Sequence, residues 1–232
     1  YIFVLFLFLT TGVVVIFARL SQSYIERRDQ ISLSTNLLLL NIIISHGVFA
    51  LIVLALLLYS HISLLHLGIT IQHLSFSYLI MGLSLGVGLA IFNELASMLI
   101  VKFELDYQSD LRELLTPRGP FGWIFLIFIV LPLVAGFEEL LFRVALIGAV
   151  SVVLQISPWI MLLVSSVLFG AAHMGQGKGG RFVATILGII LGISYIFTGS
   201  FVVIVVGHYL VNSIEFIVHQ RLKLHLEEIH NG

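Results

Sequence analysis

The chain has 232 residues, 59% of them hydrophobic and 10% charged, and a mean hydropathy of +1.15. Soluble domains carry about 25% charged residues, and a soluble fold of this size could not hide so much apolar surface, so the solvent is a lipid bilayer. A net charge of −1 argues against nucleic acid and against a dominant anionic partner, and the lack of cysteine excludes disulfides, thiolate metal sites and a cysteine nucleophile.

Apolar runs close to the spanning length of about 20 residues cover 1–20, 37–59, 78–101, 121–154, 158–174, 182–197 and 201–219. The first run lacks a basic leader and a small-residue cleavage site, so it reads as a spanning helix rather than a signal peptide. Polar linkers fill 21–36, 60–77 and 102–120. Short turns fall at Ser157-Pro158 and 198–200, and a glycine-rich loop covers 175–180. The run 121–154 is too long for one straight crossing at 1.5 Å per residue. One tilted helix kinked at Pro132 is expected rather than two crossings.

The fold class is therefore all-α: a polytopic transmembrane bundle of about seven or eight helices around an intramembrane polar cavity. Residues 1–120 form N-terminal membrane helices of unassigned role, 121–219 a catalytic core, and 220–232 a short cytoplasmic amphipathic tail. Alternate crossing gathers Arg19, Arg27, Arg28, Lys102, Arg112, Arg118, Lys178, Arg181, Arg221 and Lys223 on one face. The positive-inside rule makes that face cytoplasmic, with the N-terminus outside and the C-terminus inside. The expected location is the cytoplasmic membrane of a prokaryote.

Arg143 is the one basic residue left within the apolar runs, and it stands in Glu138-Glu139-Leu140-Leu141-Phe142-Arg143. A charge at a helix centre costs roughly 2.5–3.5 kcal/mol on insertion scales. Such a cluster needs internal partners and usually has a task. Glu139 and Arg143 lie four apart on one helical face and would pair. Glu138, about 100° round the helix, is left facing a cavity. Burial disfavours a carboxylate's charged form and a guanidinium favours it, and a group so balanced suits general-base work. Alone, the hexad also fits a buried ion pair with one protonated glutamate holding helices together.

His173 ends the run 158–174, where a lone histidine is commonly an interface residue. His208 and Asn212 are four apart and project from one face. Alone they would serve as interhelical hydrogen bonders. Taken together, the three sets converge on one cavity in the cytoplasmic half of the bilayer. They supply a base, a second proton carrier and two oxyanion donors, which is what amide hydrolysis by activated water requires.

In order, Glu138-Glu139-x-x-x-Arg143, Phe169-x-x-x-His173 and His208-x-x-x-Asn212 resemble the three motifs of the CAAX-protease and bacteriocin-processing family (CPBP, also called Abi), which includes the type II CAAX prenyl endopeptidases. The resemblance covers roughly 121–219. It implies an intramembrane glutamate-type endopeptidase that needs no metal. Glu138 and His173 would activate the water, His208 and Asn212 would hold the oxyanion, and Glu139 and Arg143 would support the site. Val144 stands where many members have glycine, and the nearest preceding proline is Pro132. The implied substrate is a membrane-embedded or lipidated peptide, prenylated or leader-bearing. Two other readings stand beside it: a non-catalytic immunity or scaffold protein of the same fold, and an ion or small-molecule transporter using the same buried charges.

Zinc was the metal to weigh, since Glu138 or Glu139 with His173 and His208 would make a His₂Glu set. No His-Glu-x-x-His helix is present, and Arg143 beside the glutamates disfavours a cation. No cofactor and no metal are therefore expected.

Other features have plainer readings. Asn93-Glu94 could line a substrate path, but packing within its helix is the simpler account. Gly82-x-x-x-Gly86 and Gly188-x-x-x-Gly192 point to close internal packing. Gly175–Gly180 lacks the Walker pattern and reads as a mobile loop beside the site. His46, His61, His66 and His73 are expected around the outer linker, and His219, His225 and His230 on the tail.

Overall fold

The computed structural model describes residues 1–26, 34–103 and 110–231. Arg27 and Arg28 of the expected charge pattern lie outside the described residues. Eight helices are seen among those described: α1 (Ile2–Glu26), α2 (Thr35–Tyr59), α3 (Phe76–Lys102), α4 (Asp110–Leu115), α5 (Pro120–Leu154), α6 (Pro158–Ala172), α7 (Gly177–Thr198) and α8 (Phe201–Asn231). Six of these contain stretches long and apolar enough to cross a bilayer, and α6 is a shorter apolar helix. Leucines, isoleucines and phenylalanines such as Leu51, Ile91, Phe128 and Leu163 are exposed along them. That is the surface of an integral, multi-pass membrane protein, where lipid takes the place of water.

Residues 120–154 form one helical run rather than two crossings. Two π-helical stretches, Leu126–Val130 and Leu140–Ala149, interrupt its α-helical hydrogen bonding. The first ends just before Pro132, which has no N–H to donate; a local widening of the ladder accommodates the missing bond. The second carries Arg143. Its Phe142 carbonyl accepts from Ser165 Oγ of α6, so a side chain on the next helix satisfies it. Gln155, in the left-handed conformation at φ 53°, ends the helix, and Ser157 caps α6 by accepting from the Trp159 amide at 3.3 Å.

The 15 residues of α6 rise only about 22 Å, well short of the roughly 30 Å hydrocarbon layer. His173 leaves the helical conformation at φ −95°, ψ 33°. The early stop holds His173 within the bundle instead of carrying it to the surface. A single 3₁₀ turn, Met174–Gln176, then leads into α7, which begins at Gly177. The glycine-rich segment expected as a mobile loop is therefore largely the first turns of a helix. Gly177, Gly179 and Gly180 are buried there.

The helices meet through small residues. α3 and α8 form the most extensive interface and run in parallel. An added Cβ at Gly82 would lie 2.8 Å from Val206 Cβ, and one at Gly86 would lie 2.7 Å from Leu210 Cβ and 2.9 Å from the Gly207 oxygen. Gly188 of α7 packs on Ser166, where a Cβ would meet the Cα at 3.2 Å. Both glycine pairs are thus used for packing inside the chain. At one end of the bundle, the Phe201 amide donates to the Gly68 carbonyl at 3.2 Å and the Tyr195 hydroxyl to the Leu67 carbonyl at 2.9 Å. The 60–75 linker and the 198–200 turn therefore share one end, and neither contains Lys or Arg.

Replacing Gly86 by valine should destabilise the bundle by about 1–3 kcal/mol, the usual cost of overpacking. Gly88→Ala, with nothing within 4 Å of an added Cβ, should be neutral or slightly stabilising. Thermal unfolding in detergent distinguishes the two.

Candidate active site

The two carboxylates of the hexad fall on one helix of the bundle centre. Glu139 and Arg143 are fully buried, at 0% and 1% exposure, and their side chains pair at 3.0 Å through Glu139 Oε1 and Arg143 Nη1. Arg143 Nη2 donates to the Gly188 carbonyl of α7 at 3.2 Å. The guanidinium carbon lies 4.4 Å from the Phe169 ring centroid of α6. The planar cation thus meets one carboxylate, one carbonyl and one aromatic face, while its Nε is buried with no hydrogen-bond partner among the described residues.

His208 of α8 completes the cluster. Its Nδ1 lies 2.7 Å from Glu139 Oε1 and its Nε2 3.4 Å from Glu138 Oε2. Against an ionised carboxylate Nδ1 must donate, so Glu139 fixes the ring's tautomer and orientation. Glu139 thus serves Arg143 and His208 with the same oxygen. Glu138 Oε2 is buried and makes no hydrogen bond. The histidine was expected to work beside Asn212; its seat between the paired glutamates was not foreseen.

A cavity of about 40 Å³ opens beside this cluster. His173, His208 and Asn212 line it, together with Asn93 of α3, Gln176 and Glu215. The structure therefore brings His173, His208 and Asn212 to one space, as the motif spacing implied. His173 Nδ1 lies 2.8 Å from the Phe169 carbonyl, which can only accept, so Nδ1 carries a proton and Nε2 is the nitrogen free for chemistry. Its ring also packs on Phe169, centroids 4.4 Å apart. Glu138 touches the cavity's histidine wall through His208 and is not itself among the residues lining this cavity. No hydrogen bond or ion pair joins Glu138 to His173 among the described residues.

Three residues near the site were missed or read otherwise. Glu215 lies three positions after Asn212 on α8, a spacing that already put it on the site face. Gln176 was lost in the glycine run. His46 was expected at the outer linker but stands inside α2, because the run 37–59 continues straight through it. Its Nδ1 donates to the Ile42 carbonyl at 2.9 Å, its ring meets Phe137 edge-on at 5.2 Å, and Glu138 is an electrostatic neighbour. His61, His66 and His73 do lie in the 60–75 linker. Among the described residues, no group of three or more His, Asp or Glu is arranged to hold a metal ion.

Residues 120–214 match the family model described as type II CAAX prenyl endopeptidase Rce1-like. This part of the chain is Rce1-like. The resemblance carried by the three motifs is borne out there, since Glu138 through Asn212 all fall within the matched residues. No curated protein and no solved structure matches the chain. The Rce1-like segment runs from the start of α5 into α8, so it holds the ion pair and both histidines. It does not include α1, α2 or α3.

Changing Arg143 to methionine should destabilise the bundle by about 3–5 kcal/mol, because Glu139 loses its cationic partner in an apolar interior and keeps only the His208 contact. Combining it with Glu139→Gln should recover much of that loss. Denaturation of the single and double variants in the same detergent measures the difference.

Proposed function

We propose that the chain is an intramembrane endopeptidase that hydrolyses a peptide bond of a membrane-delivered substrate through water activated by Glu138 and His173. The observation that carries this reading is the convergence of His173, His208 and Asn212 on one cavity, with Glu138 3.4 Å from His208, inside a segment that matches a family of endopeptidases. The substrate class follows from the family and the setting: a peptide tail tied to the bilayer by a prenyl group, or a leader-bearing or membrane-anchored precursor.

The chemistry uses this chain's own groups. A water held between Glu138 and the free Nε2 of His173 loses a proton as its oxygen adds to the scissile carbonyl. The carbonyl π electrons move to oxygen, giving a tetrahedral oxyanion. In this reading His208 Nε2 and the Asn212 amide donate to that oxygen. With Nδ1 already donating to Glu139, Nε2 donates only from a protonated ring. The proton taken by the base then passes to the leaving nitrogen as the C–N bond breaks. Arg143 stays paired throughout and positions Glu139.

The same reading sets the protein in its membrane. α3 and α8 run in parallel, and Lys102 lies at the end of α3 while Lys178 and Arg181 begin α7. The 60–75 linker and the turns at 155–157 and 198–200 hold no Lys or Arg. The basic end faces the cytoplasm, the N-terminus lies outside, and His173 and Gln176 open toward the basic end. No metal takes part in the proposed reaction.

Glu138→Gln and His173→Ala should each abolish cleavage of prenylated CAAX-tail or leader-bearing test peptides while leaving expression and thermal unfolding near wild type. Full cleavage by both variants would remove Glu138 and His173 from the reaction. A scaffold would keep its cellular function in Glu138→Gln, and a transporter would show flux that fails in Glu94 or Glu139 variants. Asn212→Ala should lower kcat by about 10²–10³, the usual scale for one oxyanion donor. Cleavage should persist in a chelator-treated, metal-free preparation, measured on the same peptides.

A further inference from the structure

Asn93 lies outside the Rce1-like segment, on α3, and is only 8% exposed. Its carboxamide has no hydrogen-bond partner among the described residues, yet it lines the cavity shared with His173, His208 and Asn212. Its amide atoms are not among the fully buried, unpaired ones, so the carboxamide reaches the cavity with its hydrogen-bonding groups open to whatever enters there. A helix built for packing alone would place leucine there, as the neighbouring cavity residue Leu89 does one turn earlier. The placement is enforced by the backbone: Gly82 and Gly86 bring α3 against α8 at Val206, Gly207 and Leu210, and the same face carried on by helical spacing holds Leu89 and Asn93.

Resting on the proposed hydrolysis, we infer that Asn93 is a substrate-binding residue that clamps the main chain of the peptide beside the bond to be cut. A peptide presented for hydrolysis must be extended at that point, so its N–H and C=O groups lose their helical partners within the membrane. Unless the site replaces those partners, each open group costs several kcal/mol in an apolar layer. A carboxamide offers one donor pair and one acceptor, the complement of a peptide group. It lines the same cavity as His208 and Asn212 of α8. Asn212 is left to the oxyanion, and Asn93 holds the strand in register. The recognised class is thus an extended peptide backbone rather than a particular side chain, which suits a site whose apolar wall is formed by Leu89, Val183, Leu187 and Leu191.

The test compares wild type, Asn93→Leu and Glu138→Gln on a fluorescence-quenched peptide ending in a farnesylated CAAX tail, and on analogues in which each amide flanking the scissile bond is replaced in turn by an ester. Wild type should lose about ten-fold in kcat/KM on one ester analogue, the scale of one hydrogen bond. Asn93→Leu should be about ten-fold slower on the amide peptide, mostly through KM, and should no longer distinguish that ester from the amide. Its thermal unfolding should stay near wild type, whereas a structural role for Asn93 predicts a clear loss of stability. Asn93→Ala serves if leucine crowds the cavity. An unaltered kcat/KM in both Asn93 variants beside an inactive Glu138→Gln would overturn this inference alone. Activity surviving in Glu138→Gln would take down the proposed reaction and this inference together.

Discussion

A guanidinium that cannot leave the lipid layer organises this fold. Arg143 is 1% exposed and is held by groups from three helices, Glu139 on its own, the Gly188 carbonyl of α7 and the Phe169 face of α6, while its Nε is buried with no hydrogen-bond partner among the described residues. Glu139 then holds His208 of α8 through the same oxygen that pairs with Arg143. Four helices are thereby tied to one charge. Compared with an apolar replacement, such a pair adds little net stability, since desolvation offsets the attraction. Its effect is to fix which helix faces meet. Any sliding of α7 or α8 by a turn would leave a charge or a carboxylate bare in hydrocarbon, where the penalty is largest.

The π-helical stretch around Arg143 belongs to the same constraint. Ten residues from Leu140 to Ala149 follow the wider ladder, which alters the register at which the following side chains leave the helix. The Phe142 carbonyl in that stretch is taken by Ser165 of α6. One turn further along α6, Phe169 packs on Arg143, and its carbonyl receives His173. A single helix thus supports the π-stretch, covers the cation and sets the tautomer of a catalytic candidate. The three functions require three residues at near-helical spacing, Ser165, Phe169 and His173, which is why α6 can stop short of the membrane surface and still do its work.

Much of this was legible in the sequence because lipid is an unforgiving solvent. Spanning lengths, the ion pair at Glu139 and Arg143, and the convergence of His173, His208 and Asn212 follow from the cost of bare polar groups in hydrocarbon. The less legible features all depend on register between helices. Nothing in periodicity says that α7 begins at Gly177, since glycines that pack and glycines that flex look alike in a sequence. Nothing says that Leu140–Ala149 is π-helical, since the same residues would suit an α-helix. His46 was misplaced for a simpler reason: a histidine within an apolar run was assigned to the nearest polar linker. Its true neighbours, Phe137 and Glu138, come from a helix some 90 residues away in sequence, and only the packing of α2 on α5 brings them together.

The cavity, finally, is not the property of the Rce1-like segment alone. Leu89 and Asn93 come from α3, and Glu215 lies one residue past the matched region. α3 reaches α8 only because Gly82, Gly86 and Gly207 remove the side chains that would hold the backbones apart. Interfaces of this kind in lipid gain nothing from the hydrophobic effect and rely on close van der Waals contact. A substitution that widened the α3–α8 contact by one methyl group would therefore act at a distance. It would draw Asn93 away from Asn212 and enlarge the cavity without touching Glu138, His173 or His208. The α3–α8 glycines thus shape the cavity as much as the scaffold, and residues 76–102 supply part of the wall that the C-terminal motif residues share.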